Sequence, residues 1–403
     1  MSQNAPSRWC LILMGPVLWT AVAQNTQAQR VPSAKQLQGW LKRFPDADTN
    51  QDGKLSLDEA LRFRSQMRGG DNPGAPREFR VDPGWKADRF PDHAVCYQSP
   101  AQIKAIYQET LGKKQPSVVS YEPPTDGALR IVGTGHSFMA PGYKTMPIIC
   151  KAAGMDQPLY THTGGGITGS TRYKWEQENG IFGFDGRPTP KLLASIANAD
   201  WDAMMWGPYF NDEPEYYSCW VDFCLKYHPD MRFFLSDAWP QLYQLKQLPA
   251  SESEMTADVF EKMGRERREE YAKQVSVLLA KYPDKIFVMP TSNAMVLAAK
   301  AFLKDDLPGI DGLHRVVGKK ERSLWRDQLG HLGPGFEWLE GYVFYATLYR
   351  KSPELLPTEL IQNRQDGFPS PELDQKFREI AWQAVISHPL SGVTDADGDG
   401  QGD

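Results

Sequence analysis

A serine and two later aspartate–histidine pairs of this chain have the types needed for acyl chemistry. Ser137 lies in "LRIVGTGHSFMAPG", where an apolar, β-branched run passes through glycines into a hydroxyl. Asp327 and His331 lie far later, in "RDQLGHLGPGFEW". A serine nucleophile needs a base to take its proton and donors to hold the oxyanion that forms on the attacked carbonyl. An imidazole backed by a carboxylate supplies the base. The seven histidines offer few candidates. His136, next to Ser137 at a strand end, should point away from it. Two later segments pair an aspartate with a histidine: Asp311 with His314 in "PGIDGLHR", and Asp327 with His331.

The elements that must position these groups are read from the hydrophobic pattern. From about Leu129 onward, short apolar runs such as "LRIVGTG", "WDAMMWG", "MRFFLSDAW" and "KIFVMPTS" alternate with longer helical stretches. Buried strands separated by helices predict a parallel sheet covered on both faces. Ligands of such sheets bind outside the carboxyl ends of the strands, where Ser137 falls. Several alternatives lack support. No G-x-S-x-G elbow surrounds any serine and no phosphate loop ends in Lys-Ser/Thr; the glycines of "THTGGGITGS" are the nearest thing to a G-x-G-x-x-G opening a helix and are weak evidence for phosphate. The histidines are scattered singly, which gives no zinc pattern.

A second chemical motif is "DTNQDGKLSLDE", residues 48–59. Oxygen ligands fall at Asp48, Asn50 and Asp52. Gly53 permits the sharp turn, Lys54 offers its carbonyl, Ser56 falls where a water is often held, and Glu59 closes the loop. Leu55 matches the hydrophobe that packs such a loop. Every position of the calcium-loop pattern is filled, so calcium is the expected cofactor, in a structural role. The closing "TDADGDGQGD" repeats the first half of this pattern at Asp395, Asp397, Asp399 and Gly400. The sequence ends before a twelfth-position carboxylate, which leaves a partial calcium site or a disordered acidic tail, and the glycine-rich, apolar-poor composition favours the tail.

The remaining features bound the class. Arg8 precedes an apolar run from Trp9 to Ala23 that ends in small residues, the pattern of a secretory signal peptide, so a secreted or periplasmic location is expected. The run, about 15 residues and interrupted by Pro16, falls short of a membrane span, so no membrane partner is expected after cleavage. With 45 basic against 50 acidic side chains, nothing favours a nucleic-acid partner. Cys96, Cys150, Cys219 and Cys224 then remain, as one or two disulfides or as buried thiols. The expected organisation is signal peptide 1–28, calcium module 29–70, a Pro/Gly-rich linker or lid 71–127, the α/β body 128–390 and the tail 391–403. Trp201, Trp206, Trp239 and Trp325 could line a sugar platform, although in a chain with 12 tryptophans most belong to the core.

The order of these residues resembles the SGNH (GDSL-like) hydrolase superfamily, and more narrowly a secreted bacterial branch of it. "GTGHSF" and "RDQLGHLGPGFEWLEGYVFYATLYRKSP" carry the likeness. It implies a flavodoxin-like three-layer α/β sandwich with a central parallel sheet, here joined to a small helical EF-hand module. It implies Ser137 as nucleophile and oxyanion donor, a second donor from the "GGG" turn at Gly164, Gly165 or Gly166, with Gly165 the central choice, and a third from Asn211. Gly207 stands four before Asn211, a wider spacing than the family shows. The glycine turn and long helix after His331 match the family's last block and favour the Asp327–His331 pair. The Asp-x-x-His spacing fits Asp311 and His314 instead. The implied activity is ester hydrolysis, with acyl groups on extracellular carbohydrate as a candidate substrate. The other reading is an inactive carbohydrate- or protein-binding relative that docks through calcium.

Overall fold

The computed structural model describes residues 37–38, 41, 45–56, 59–60, 118–163, 192–207, 214–245, 247–360 and 367–403. The signal peptide, most of the linker, Cys96, Gly164–Gly166 and Asn211 lie outside them. The chain divides into two compact units, 1–80 and 81–403.

The larger unit is an α/β fold. Five strands, β1 (Ile131–Gly135), β2 (Leu159–Thr163), β3 (Ala203–Trp206), β4 (Arg232–Ser236) and β5 (Ile286–Met289), form a sheet in the order β2-β1-β3-β4-β5, parallel throughout. This is the flavodoxin-like order. The chain leaves β1 toward β2 on one side and β3 on the other, which opens a crevice at the carboxyl ends of β1 and β3.

Strand alternation divides the core into two layers. Ile131, Ala203, Met205 and Phe234 pack on one face, with helices α1 (Ala140–Ala152), α5 (Thr291–Phe302), α7 (Phe336–Tyr349) and α8 (Pro371–Ile386). Val132, Met204, Trp206, Phe233 and Leu235 pack on the other, with α2 (Leu192–Asn198), α3 (Pro214–Tyr227) and part of α4 (Ala257–Lys281). The strands read as unbroken apolar runs because both faces are covered.

Two further short strands, β6 (Gly312–His314) and β7 (Ser323–Trp325), pair in parallel as a separate sheet around the short helix α6 (Arg315–Gly318). β7 leads directly into the Asp327–His331 loop, and α7 comes after that loop. Helices α1 and α7 approach closely through small residues. A Cβ on Gly142 would lie 2.3 Å from the Phe344 ring, and one on Gly341 would lie 2.2 Å from Thr145 Oγ1. This contact binds the helix after Ser137 to the helix after His331.

Two expected boundaries shift. The body begins before residue 128: the Val119 N–H donates to Ser195 Oγ at 3.0 Å, and the Tyr121 ring meets Trp201 edge-on at 5.7 Å. The stretch 391–403 is docked rather than free. Val393 is 3% exposed, Ser352 N–H donates to Gly400 O at 2.7 Å, and Gly402 N–H donates to Arg350 O at 2.7 Å. Backbone pairing does here what apolar side chains do elsewhere.

Among the described residues no helix is long and apolar enough to cross a membrane. Cys150, Cys219 and Cys224 are buried, and no disulfide joins them to one another. The four tryptophans offered as a platform are buried instead: Trp201 is 3% exposed, Trp206 1%, Trp239 1% and Trp325 2%.

Candidate active site

Strand β1 ends at Gly135, and a tight turn, closed by Met139 N–H donating to His136 O at 3.1 Å, carries Ser137 to the start of α1. Ser137 is exposed, whereas its neighbours His136 and Phe138 are buried. The positive end of the α1 dipole lies beneath this turn. Among the described residues, no hydrogen bond occupies the Ser137 N–H.

Ser137 Oγ lies 2.8 Å from His331 Nε2, although the two residues are 194 positions apart. His331 Nδ1 lies 3.0 Å from Asp327 Oδ1 and 2.8 Å from Asp327 Oδ2. The carboxylate fixes the proton on Nδ1 and leaves Nε2 as acceptor for the serine hydroxyl, the arrangement of a nucleophile, base and orienting acid. Asp327 Oδ1 also accepts the N–H groups of Leu329 at 3.1 Å and His331 at 3.2 Å. Burial pushes the Asp327 carboxyl up, but the hydrogen bonds and charge of His331 and the Arg326 guanidinium outweigh it and hold the group below its ordinary value. Asp327 therefore stays ionised wherever the imidazole needs it.

The extra residue between Asp327 and His331 has a structural home. Gly330 takes a left-handed φ of 85° and its N–H donates to Asp327 O at 2.9 Å, so the turn bulges and returns His331 to the carboxylate. The residue added to an Asp-x-x-His spacing is absorbed there.

The rival pair is not assembled. His314 is 2% exposed, and its Nδ1 accepts the Val316 N–H at 3.2 Å as a helix cap. Its ring stacks on Trp325 at 6.2 Å, and burial pushes its pKa down to about 4. Asp311 is exposed. Gly165 and Asn211 lie outside the described residues. Gly207 ends the buried β3 segment, where a Cβ would meet Met139 at 2.8 Å and His136 Nε2 at 3.7 Å, so the start of the Asn211 segment borders the Ser137 turn.

Sequence reasoning missed two parts of the surroundings. Trp239, in the segment after β4, donates its indole N–H to Gly330 O and stacks on Phe138 at 4.6 Å. Glu340 of α7 reaches across to α1, accepting the Gly142 N–H at 2.7 Å. Burial holds its carboxyl well above the ordinary range, so it caps the helix as a neutral acid. A charged type inside the apolar "FEWLEGYVFYATLY" is the signal that could have found it.

In the smaller unit, the loop over 48–59 has Asp48 accepting the N–H groups of Asp52 at 3.2 Å and Gly53 at 2.8 Å. Asn50 Oδ1 accepts from Asp52 N–H at 3.0 Å, and Asp52 Oδ1 from Lys54 N–H at 2.8 Å. Glu59, 6% exposed, folds back under the loop, where Thr49 donates at 3.1 Å and the Ser56 hydroxyl at 2.7 Å. The Ser56 hydroxyl and N–H lead in holding its carboxyl down at about 2. Leu55 packs with Ala47 and Ala60. The donors are hard oxygens with charge at the loop's closing position, a set that fits calcium. Asp395, Asp397 and Asp399 also bring carboxylate oxygens within 4.8 Å of one another, with Asp395 accepting from Trp382 Nε1 at 2.9 Å.

No protein-family model matches the chain, and no curated protein matches it significantly. Among solved structures it is similar to a DUF4886 family protein from Bacteroides uniformis at 11% identity and a TM-score of 0.43, covering 64% of this chain and 95% of that one. It is also similar to a Streptococcus pneumonia structure whose description names platelet activating factor. That match has 11% identity and a TM-score of 0.31, and covers 63% of this chain and 94% of the other. The chain's own strands define its class, an α/β protein with a five-stranded parallel sheet flanked by helices.

Proposed function

We propose that this chain is a serine hydrolase that cleaves esters, with Ser137, His331 and Asp327 as nucleophile, base and orienting acid. The observation that carries the reading is the continuous relay from Ser137 Oγ through the imidazole to Asp327, with 2.8 Å at each end. His331 Nε2 takes the Ser137 proton as Oγ attacks the acyl carbonyl. The imidazolium then protonates the departing alcohol, and a water activated by the same nitrogen releases the acid from the acyl-enzyme. The Ser137 N–H faces the forming oxyanion, aided by the positive end of α1. Gly165 and Asn211 are the further donors that the family resemblance assigns; Asn211→Ala should cost about 10²- to 10³-fold in kcat.

The exposure of Ser137 suits an ester on a bulky alcohol, which supports acylated extracellular carbohydrate as the substrate class. The 48–59 loop would hold calcium through Asp48, Asn50, Asp52, the Lys54 carbonyl and Glu59, a structural role that stabilises the small unit. Chelation should lower its melting temperature, and Glu59→Ala should abolish that sensitivity, because a ligand bound only to the folded state stabilises it.

Hydrolysis of p-nitrophenyl acetate by the wild type and by Ser137→Ala tests the main reading. A rate that vanishes with the hydroxyl supports it. Equal rates would refute it and leave a binding protein with an inert site.

A further inference from the structure

We propose that Trp239 is a positioning residue for the His331 base, holding the Gly330–His331 peptide plane by its indole N–H and tying that plane to the Ser137 turn through Phe138. The inference rests on the reading of Ser137, His331 and Asp327 as catalytic, and adds to it a residue that contacts none of the reacting atoms.

The peptide between Gly330 and His331 is gripped at both ends. Its carbonyl accepts the Trp239 indole N–H, and its N–H donates to Asp327 Oδ1 at 3.2 Å. The orientation of this plane, together with φ at His331, sets the direction in which the His331 Cα–Cβ bond leaves the backbone, so a plane that turns lets the imidazole turn with it. The left-handed φ of 85° at Gly330 makes such rotation easy for the chain on its own, so outside anchors have to set it. Asp327 cannot supply an outside anchor, since it belongs to the same loop and bonds that loop's own N–H groups. Trp239 can, because it is 1% exposed and belongs to the segment leaving the central sheet at β4.

The ring does a second task. Trp239 stacks on Phe138 with centroids 4.6 Å apart and planes 19° apart, and Phe138 meets His331 edge-on at 5.3 Å. Phe138 is the residue after the nucleophile, so one indole touches both halves of the pair that must meet at 2.8 Å. Packing from the same segment closes the arrangement: a Cβ on Gly330 would lie 2.9 Å from Gln241 Cγ. Burial alone does not force an indole to find an acceptor in this fold. Trp206 and Trp325 are equally buried, and their indole nitrogens have no partner among the described residues.

Trp239→Phe removes the donor and keeps a ring over Phe138. With p-nitrophenyl acetate, kcat is expected to fall about tenfold with KM nearly unchanged, since sub-ångström misplacement of a base is costly and substrate contacts remain. The low-field Nδ1–H proton signal of His331, recorded with the imidazole charged, is expected to broaden or shift in the variant while the near-ultraviolet dichroism of the rest of the fold persists. A variant with wild-type kcat, or with an unaltered Nδ1–H signal, would overturn the proposal. A wild type as slow as Ser137→Ala would instead refute the esterase reading, and the Nδ1–H signal, which needs no turnover, would still decide the positioning role. Should the variant not fold, hydrogen exchange of the wild-type Trp239 indole decides. Protection matching that of the His331 amide supports the hold, and exchange as fast as a free indole overturns it.

Discussion

Asp327→Asn keeps the shape of the side chain and should nonetheless disable the site. Asp327 Oδ1 accepts two backbone N–H groups, from Leu329 at 3.1 Å and His331 at 3.2 Å. In the amide only the oxygen can take that place, so the NH₂ must stand where Oδ2 was, 2.8 Å from His331 Nδ1. It then donates to Nδ1 and forces the imidazole proton onto Nε2. That nitrogen faces Ser137 Oγ at 2.8 Å and can no longer accept its proton. The expected loss in kcat is about 10³- to 10⁴-fold, or ~4 to 5.5 kcal/mol in the barrier. The lower end is expected, because Asp327 is 40% exposed and water can share its role. Asp327→Ala leaves both tautomers open, so it should retain at least as much activity as the isosteric variant. Ester turnover measured for both, beside thermal melts to confirm folding, decides the point. A folded Asp327→Asn protein within tenfold of wild type, or clearly faster than Asp327→Ala, would refute the tautomer reasoning.

Glu340 has its folded carboxyl raised by burial, so the native state binds this proton more tightly than the unfolded chain does. Its contribution is present in full below the ordinary value of 4.5 and declines as pH rises above it. Glu340→Gln should flatten the loss of stability with rising pH by up to about 1.4 kcal/mol per pH unit, read from melts between pH 5 and 8. Asp237, pushed up to about 7 by burial, acts in the same direction and should leave a residual slope. His314→Asn, which keeps an acceptor for the Val316 N–H, should leave ester turnover within about twofold of wild type, since a substitution away from the reacting groups costs only stability; a collapse in kcat of the folded variant would restore the earlier Asp–His pair. Dithiothreitol should leave the melting temperature of the larger unit unchanged, because no disulfide joins Cys150, Cys219 and Cys224 to one another.

Much of the framework was legible because it rests on local rules. The run before Ser137 is apolar on both faces, as a central parallel strand must be, and the turn glycines mark its end. The approach of His331 to Ser137 agrees with the hint in the glycine turn and the helix α7 that come after it, whereas the Asp–His spacing pointed to Asp311 and His314, whose imidazole caps α6 instead. Trp239 could not be distinguished from other tryptophans, since its importance lies in a carbonyl contributed 91 positions later. The packing of 391–403 was hidden for a related reason. Hydropathy registers side chains, and that stretch is held by main-chain pairing of Gln401 with Lys351. The start of the body was misplaced because Val119 and Tyr121 stand beside "YEPPTDG", whose prolines read as a break.

The imidazole rides on a short loop closed by the Trp325–Leu332 bridge and by the Arg326 N–H donating to His331 O at 2.9 Å. This fastening is far smaller than the five-stranded sheet that supports Ser137, so the two can come undone at different temperatures. On gentle heating the loop should detach before the sheet melts. Rapid cooling from that interval would then restore full turnover.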